Sequence, residues 1–382
     1  AALADLRTPF TRNSTTALYL WDFKVNRPDL LTIWAGDIGM AAGIEIRHEN
    51  FDDNRDARID GTAPFTDTLS GVVNPSDVPG ASASPDVKGK RTVKSAYAEL
   101  AIPVISPEMG IPLVRRVEVQ LAGRAEKYSD VGNVAKPKIA GAWDLFDGVR
   151  FRSSWSQGFR APNLEQINTA FVLRNNGQQD YIFCEADLRA KRITNFNACA
   201  QSRTTKVLRA GNKDLQPETS TSFEAGIKAD FWDNRARLNA NVFYYEVKDQ
   251  QLTAVGGSGN ANILLNADKS TGQGFELDFQ AYLTDSLLVT LGTGYNDTEI
   301  KDKNLAVSVC AQCTVTDPLD INGKALINGN ALPQAPKSTV NFTLRYSRPV
   351  GNGAEVYAYT DWVYRSKVNF FLKGVEGKPP AK

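Results

Sequence analysis

The chain has 382 residues, with 44 Lys and Arg against 43 Asp and Glu and a formal charge of +1. This balance gives no reason to expect nucleic acid or an anionic membrane surface as a partner. The single histidine excludes His-rich metal chemistry and argues against a Ser-His-Asp site. No run approaches about 18 apolar residues, which excludes a transmembrane helix but not a transmembrane β-barrel, half of whose wall residues face a polar lumen.

Apolar and polar residues alternate with period two along most of the chain. From 237 to 242, for example, arginine or asparagine alternates with leucine, alanine or valine. Such alternation predicts strands with one apolar and one polar face. Twelve strands are predicted, at 15–26, 38–51, 92–103, 116–128, 134–144, 148–159, 219–231, 236–247, 272–283, 286–300, 338–347 and 354–365.

The connections between these strands differ in length in a regular way. Four are long and polar, at 52–91, 160–218, 248–271 and 301–337, and from about residue 134 they alternate with short turns rich in Asp, Asn, Gly and Ser. In an up-and-down sheet this places the short turns on one rim and the long loops on the other, as in outer-membrane barrels. Aromatic residues near strand ends fit interfacial girdles. The sequence therefore predicts an all-β, antiparallel up-and-down transmembrane β-barrel over 1–372, with 373–382 as an unstructured tail or a truncated next connection.

Two sequence motifs resemble those of TonB-dependent outer-membrane receptors. Residues 155–164 read WSQGFRAPNL, and residues 215–220 read LQPETS, followed by FEAGIK at 223–228. The motif residues are Phe159, Arg160, Ala161, Pro162, Pro217 and Glu218. Weaker matches lie at 272–277, 331–337 and 364–369. The resemblance covers nearly the whole chain.

This resemblance implies a 22-stranded barrel with an N-terminal plug and a segment that engages TonB. The chain departs from that pattern, because we count about twelve strands and find neither plug nor closing strands; it is expected to be the middle-to-late part of a receptor. The implied function is active transport across the bacterial outer membrane: extracellular loops bind a scarce large solute, such as a siderophore or an oligosaccharide, and energy transmitted by TonB drives its import. The implied partners are outer-membrane lipid, the TonB complex and the solute.

The cysteines lie in two of the long loops, Cys184 and Cys199 in one and Cys310 and Cys313 in the other. A CxxC pair suits redox chemistry or half a zinc site, but no second CxxC and no nearby histidine accompany it. We therefore expect disulfides in an oxidising compartment, with local pairing as the leading one of three connectivities.

Charged residues in the loops give a weaker indication of the solute. Loop 160–218 holds a cluster of basic residues that could attract an anionic solute, diluted by acidic neighbours; the candidates for solute binding are Arg174, Arg189, Lys191 and Arg192. Haem receptors of the family have a loop histidine after the FRAP motif. None follows here, since the histidine is His48 in an early strand, so haem uptake is disfavoured.

The alternative function is that of a secreted all-β adhesin or carbohydrate-binding module. Its strands would be shorter, and its loops would not all lengthen at one end. An enzyme is disfavoured, because no catalytic triad, metal cluster or phosphate-binding loop has its residues at a convincing spacing. No cofactor or metal ion is expected.

Overall fold

The computed structural model describes residues 9–374 except 70, 72, 79–81, 170–171, 180–183, 186–187, 196–201, 210, 257–260 and 310–314. Twelve long strands form its main sheet. They are β1 (Arg12–Ile33), β2 (Gly36–Arg55), β3 (Val87–Ile105), β4 (Arg116–Tyr128), β5 (Gly132–Phe146), β6 (Val149–Arg160), β7 (Glu218–Phe231), β8 (Ala236–Gly256), β9 (Ala261–Thr284), β10 (Leu287–Ile300), β11 (Ser338–Val350) and β12 (Ala354–Arg365).

The remaining elements are short and lie in the connections. Two helices, Ala57–Asp60 and Leu164–Asn168, and a 3₁₀ turn, Pro107–Met109, are present. Hairpins pair Val172–Gln179 with Ser202–Arg209, Phe65–Thr66 with Val73–Asn74, and Ala306–Val307 with Ala325–Leu326. In the described part of the chain, no helix has the length and apolarity that a membrane crossing requires.

Each long strand pairs in antiparallel fashion with its neighbours in the chain, from β1 through to β12. The twelve predicted strands are therefore confirmed, as is the all-β, up-and-down architecture. Among the described strands, β1 and β12 are not paired with each other, so the sheet is open. The short-turn rim consists of 34–35, 106–115, 147–148, 232–235, 285–286 and 351–353; we call the opposite end the long-loop rim.

One face of the sheet carries a continuous band of exposed apolar side chains. Phe223, Val242 and Phe275 are 50%, 56% and 44% exposed, although they occupy the middle of long paired strands. At the short-turn rim aromatic residues close the band, and the Trp143 indole donates to Leu113 O at 3.1 Å while its ring contacts Phe151. Such a band and girdle are typical of a face in contact with lipid.

The other, inward face is polar and hydrogen-bonded across strands. Arg124 on β4 forms ion pairs with Glu126, at 2.6 Å, and with Glu45 on β2, at 3.7 Å. Aromatic rings on this face cover glycines of the neighbouring strand: Tyr245 lies over Gly272, and Phe243 over Gly274. The two rings stack on each other with centroids 6.3 Å apart. A wall of this kind is polar and also locally packed.

The prediction of a long loop at 248–271 was wrong. The β8–β9 hairpin continues through it, with register pairs from Gln250 and Ala267 to Gly256 and Ala261. This projecting hairpin is stable above the sheet because it has a core of its own, in which Ala254 and Ala267 pack with Ile300 of β10 and with Ile327 of loop 301–337. These partners are distant in sequence, so local polarity gives no hint of them.

Candidate functional site

The two motifs that resemble TonB-dependent receptors meet at the long-loop rim. Arg160 ends β6, Glu218 begins β7, and the two residues are register partners. The Arg160 Nε atom lies 2.8 Å from Glu218 Oε1, and Nη2 donates to Oε2 at 3.1 Å. This two-point ion pair closes the base of loop 161–217.

Gln251 of the projecting hairpin completes this network. Its backbone N–H donates to Glu218 Oε2 at 2.9 Å, and its side-chain amide donates to the carbonyls of Arg160 and Gln216, both at 3.2 Å. Gln251 is 7% exposed, so these bonds are shielded from water. Asn266 fixes the same segment, because it accepts from Gln216 N and donates to Gln216 O. Loop 161–217 is therefore fastened to the projecting hairpin at its end as well as to β6.

Arg91 anchors the other end of this loop. Its guanidinium donates to both carboxylate oxygens of Asp130 and to the Pro162 carbonyl, the latter at 2.7 Å. The Arg91 side chain is 5% exposed and lies over the Tyr128 ring, which in turn contacts Phe159. Arg91 thus holds the buried Pro162 of the FRAP motif against the turn that joins β4 to β5.

After Pro162 the chain forms the short helix Leu164–Asn168. Its capping box is complete: the Asn163 side chain accepts from Gln166 N, and the Gln166 side chain accepts from Asn163 N. The helix lies over Gly89 of β3, where a Cβ would meet the Asn168 side chain. Since Gly89 and Arg91 share the inward face of β3, the start of the loop folds over the mouth of the sheet rather than away from it.

The segment after β12 is fastened to two other parts of the rim. Lys373 is 3% exposed, and its Nζ donates to the carbonyls of Val255, at the hairpin, and Ser308, in loop 301–337. Burial lowers the pKa of Lys373, and the charge of Asp317 opposes this. Gly374 N also donates to Asp317 Oδ2 at 2.7 Å. Within the predicted tail 373–382, residues 373 and 374 are thus packed; the others lie outside the described residues.

The structure places the predicted solute-binding residues in loop 161–217 without bringing them into one pocket of described side chains. Arg174 is in the Val172–Gln179 strand, and its side chain lies outside the described residues. Arg189 pairs with Glu185 at 2.5 Å and is 79% exposed. Lys191 and Arg192 are exposed. Their role stays a prediction.

Of the predicted disulfide residues, only Cys184 is described. It is fully buried and disulfide-bonded, whereas Cys199, Cys310 and Cys313 lie outside the described residues, so the pairing stays a prediction. His48 is on the outward face, with its Nδ1 2.9 Å from the Thr92 hydroxyl and its ring beside Tyr19.

Three anchoring residues were missed by the sequence reasoning: Arg91, Gln251 and Lys373. Arg91 is the last residue of the predicted loop 52–91, whereas the strand begins at Val87, so the predicted boundary left Arg91 outside the sheet. Gln251 and Lys373 lie in stretches that were predicted as a loop and a tail, and nothing in their local sequence marks them.

Residues 4–375 match the family described as TonB dependent receptor-like, beta-barrel. The probable TonB-dependent siderophore receptor PiuA of Acinetobacter baumannii is 26% identical over 250 residues, which are 61% of this chain and 31% of that protein. The metal-pseudopaline receptor CntO of Pseudomonas aeruginosa is 34% identical over 95 residues, 25% of this chain and 13% of that protein. The chain thus spans less than a third of these relatives.

Solved structures share the fold. A variant of the ferric enterobactin receptor PfeA of Pseudomonas aeruginosa superposes with a TM-score of 0.56 at 17% identity, covering 95% of this chain and 44% of that one. The siderophore receptor PirA of Acinetobacter baumannii gives 0.52 at 19%, covering 87% and 40%. The chain therefore belongs to the TonB-dependent receptors of the bacterial outer membrane, and residues 4–375 match the β-barrel part of that family.

Proposed function

We propose that this protein imports a siderophore or a similar large solute across the outer membrane, using energy from the TonB complex. The observation that carries the proposal is the fastened rim: loop 161–217 is held at both ends by Arg91 and by the Arg160–Glu218 pair, and it starts over the mouth. A rim that is fixed in this way holds both ends of the loop at defined positions. The relatives are siderophore and metal receptors by name, which supports the solute class.

Binding precedes transport in this proposal. Arg174, Arg189, Lys191 and Arg192 contribute positive charge to the loop and attract an anionic ferric complex. In this proposal TonB acts through a plug and a TonB-binding segment, neither of which the described residues form. Family membership and the apolar outward band both argue against a secreted adhesin or carbohydrate-binding module. The family comprises receptors rather than enzymes, and the proposal involves no bond-breaking step.

The test compares uptake of two iron complexes by cells in which the native copy of this receptor's gene is deleted and replaced by the unmodified or variant gene. One complex is an anionic tris-catecholate and the other a neutral tris-hydroxamate, both labelled with radioactive iron. We expect energy-dependent uptake that stops when the proton gradient is collapsed. Uptake that persists without the gradient, or no uptake of either complex under iron limitation, would contradict the proposal.

A charge variant tests the role of the loop. In Arg189→Gln/Lys191→Gln/Arg192→Gln, affinity for the anionic complex should fall by about tenfold, because each exposed charge contributes a fraction of a kcal/mol to about 1 kcal/mol. The matched control removes exposed charge from the short-turn rim, in Arg115→Gln/Arg235→Gln, and should bind normally. An equal loss in both variants would exclude a specific role for the loop.

A further inference from the structure

A cavity of about 200 Å³ lies at the long-loop rim, between the end of the sheet and the start of loop 161–217. The register partners Asp53 of β2 and Val87 of β3 line it from the sheet, and Glu165 lines it from the helix Leu164–Asn168. Protein interiors rarely contain voids much larger than a water molecule, and a cavity of about 150 Å³ holds benzene. This cavity therefore has room for a small organic molecule.

Asp53 fixes two arginines on the sheet side of the cavity. Its carboxylate accepts from Arg12 Nε at 2.7 Å and from Nη2 at 3.0 Å, and Arg55 Nη2 lies 2.5 Å from Oδ2. The Asp53 side chain is 3% exposed, so these contacts are shielded from water. Arg55 also donates to the carbonyls of Ser84 and Pro85, whereas no described group accepts from Arg12 Nη1. The Nη1 group of Arg12 is thus an available donor beside the cavity.

Glu165 places a negative charge on the helix side. It is exposed, and in the described part of the chain its carboxylate forms no ion pair and no side-chain hydrogen bond, not even with Arg12. The helix does not need this carboxylate as a cap, because Asn163 and Gln166 supply the capping box. Two arginines and two carboxylates give no net charge, but one positive charge remains on the sheet side and one negative charge on the helix side. A ligand that carries both charges matches this separation.

The rest of the cavity lining is mainly apolar. Phe51, Pro85, Val87 and Val172 contribute to it, and the two valines are 6% and 7% exposed. The Arg12 side chain, in contrast, is 57% exposed. The charged groups therefore lie on the side open to solvent and the apolar groups on the closed side, as in a pocket that fixes a polar end and covers an apolar one.

We propose that this cavity binds a free α-amino acid with an aliphatic side chain. The carboxylate of the ligand accepts from Arg12 Nη1, its ammonium group donates to Glu165, and its side chain lies against Val87 and Val172. Because the closed side receives the side chain, the ligand is a whole molecule and not the end group of a larger one. The bound amino acid joins β1 to the start of loop 161–217. The proposal is independent of the imported solute.

Calorimetric titration of the purified protein in detergent micelles tests the proposal with L-leucine, with isocaproate, which lacks the ammonium group, and with isoamylamine, which lacks the carboxylate. Leucine should bind about fivefold more tightly than either analogue, because an exposed charge pair contributes up to about that factor. A lysine with a dansyl group on its side chain keeps both charged groups but exceeds the cavity, so it should not bind. No binding of leucine, equal binding of the three probes, or binding of the dansyl derivative would overturn the proposal.

Variants locate the ligand. Glu165→Gln should weaken leucine binding about fivefold without weakening isocaproate binding, and Val172→Phe, which fills the cavity, should abolish both. The matched control is Glu108→Gln, which removes an exposed first-turn carboxylate from the 3₁₀ turn at the short-turn rim and should bind leucine normally. Heat-dependent migration in SDS confirms that each variant is folded. Unchanged leucine affinity in Glu165→Gln, or an equal loss in the control, would overturn the proposal.

Hydrogen exchange gives a second measurement, which does not depend on affinity. Since the ligand joins Glu165 to Arg12, saturating leucine should slow exchange in the helix Leu164–Asn168 of the unmodified protein. The same addition should have a smaller effect in Glu165→Gln. Leucine binding that leaves exchange in this helix unchanged would place the ligand elsewhere and contradict the proposal.

Discussion

Arg160 and Glu218 form a two-point ion pair that joins the last residue of β6 to the first residue of β7, with Nε 2.8 Å from Oε1. The same carboxylate accepts the buried backbone N–H of Gln251. One side chain therefore connects the base of loop 161–217 to the projecting hairpin.

Substitution of Glu218 by Ala should loosen this junction. The Arg160 guanidinium is 56% exposed and can be hydrated, so loss of the ion pair costs little stability. The buried Gln251 N–H, in contrast, is left without its acceptor, which costs about 1–3 kcal/mol. Hydrogen exchange at the Gln251 amide should accelerate by about tenfold or more. Glu224→Gln, an inward change on the same strand, should leave that amide unaffected. Unchanged exchange in Glu218→Ala would contradict the role of the pair.

The glycines under aromatic rings should differ in their tolerance of a methyl group. The three atoms nearest to a Cβ at Gly272 all belong to the Tyr245 side chain, whereas a Cβ at Gly274 would overlap the backbone carbonyl of Tyr295 as well as Phe243. A ring can rotate, but a paired backbone cannot, so Gly274→Ala should cost about 1–3 kcal/mol and Gly272→Ala less. Urea unfolding followed by heat-dependent migration in SDS measures both. Tyr245→Ala should restore Gly272→Ala and have no effect on Gly274→Ala.

Arg91→Lys should free the start of loop 161–217 without changing the charge. A lysine cannot bind both Asp130 oxygens and the Pro162 carbonyl in one planar fork. We expect faster hydrogen exchange in the helix Leu164–Asn168 and weaker solute binding, while β3 and β4 keep their exchange rates. Retention of normal protection in that helix would show that the capping box alone holds it.

Lys373 should make the packing of the segment after β12 depend on pH. Burial lowers its pKa below the ordinary 10.5, so between the lowered value and 10.5 the undocked segment binds more protons than the docked one. Docking therefore strengthens as pH rises through that window. The protection factor of the Gly374 amide, which donates to Asp317, should rise accordingly.

Two variants separate charge from hydrogen bonding at this position. Lys373→Gln keeps an N–H donor without a charge, so its Gly374 protection should be independent of pH. Lys373→Met leaves the Val255 and Ser308 carbonyls without their donor and should reduce the protection about tenfold, from a cost of about 1–3 kcal/mol. A pH response in Lys373→Gln equal to that of the unmodified protein would assign the effect to another group.

Period-two alternation was sufficient to locate all twelve long strands, because the two faces of this wall meet different solvents along most of their length. It failed at 248–271, where the hairpin leaves the wall. Leu252 and Leu265 pack against a core to which loop 301–337 contributes, and alternation carries no information on such distant partners. The motifs identified the ends of β6 and β7, but not their contact. That contact depends on the register between β6 and β7, and the register is set only when the two strands pair.

The projecting hairpin has a consequence for the cell surface. Glu246 of β8 and Lys269 of β9 form an ion pair at 3.2 Å. From the level of this pair to Gly256 at its end, β8 rises roughly 26 Å, at about 3.4 Å per residue and a tilt of about 40°. This is about the thickness of the hydrocarbon layer itself. The hairpin therefore stands clear of the headgroups as a stiff epitope, and an antibody that recognises its folded form would stain intact bacteria.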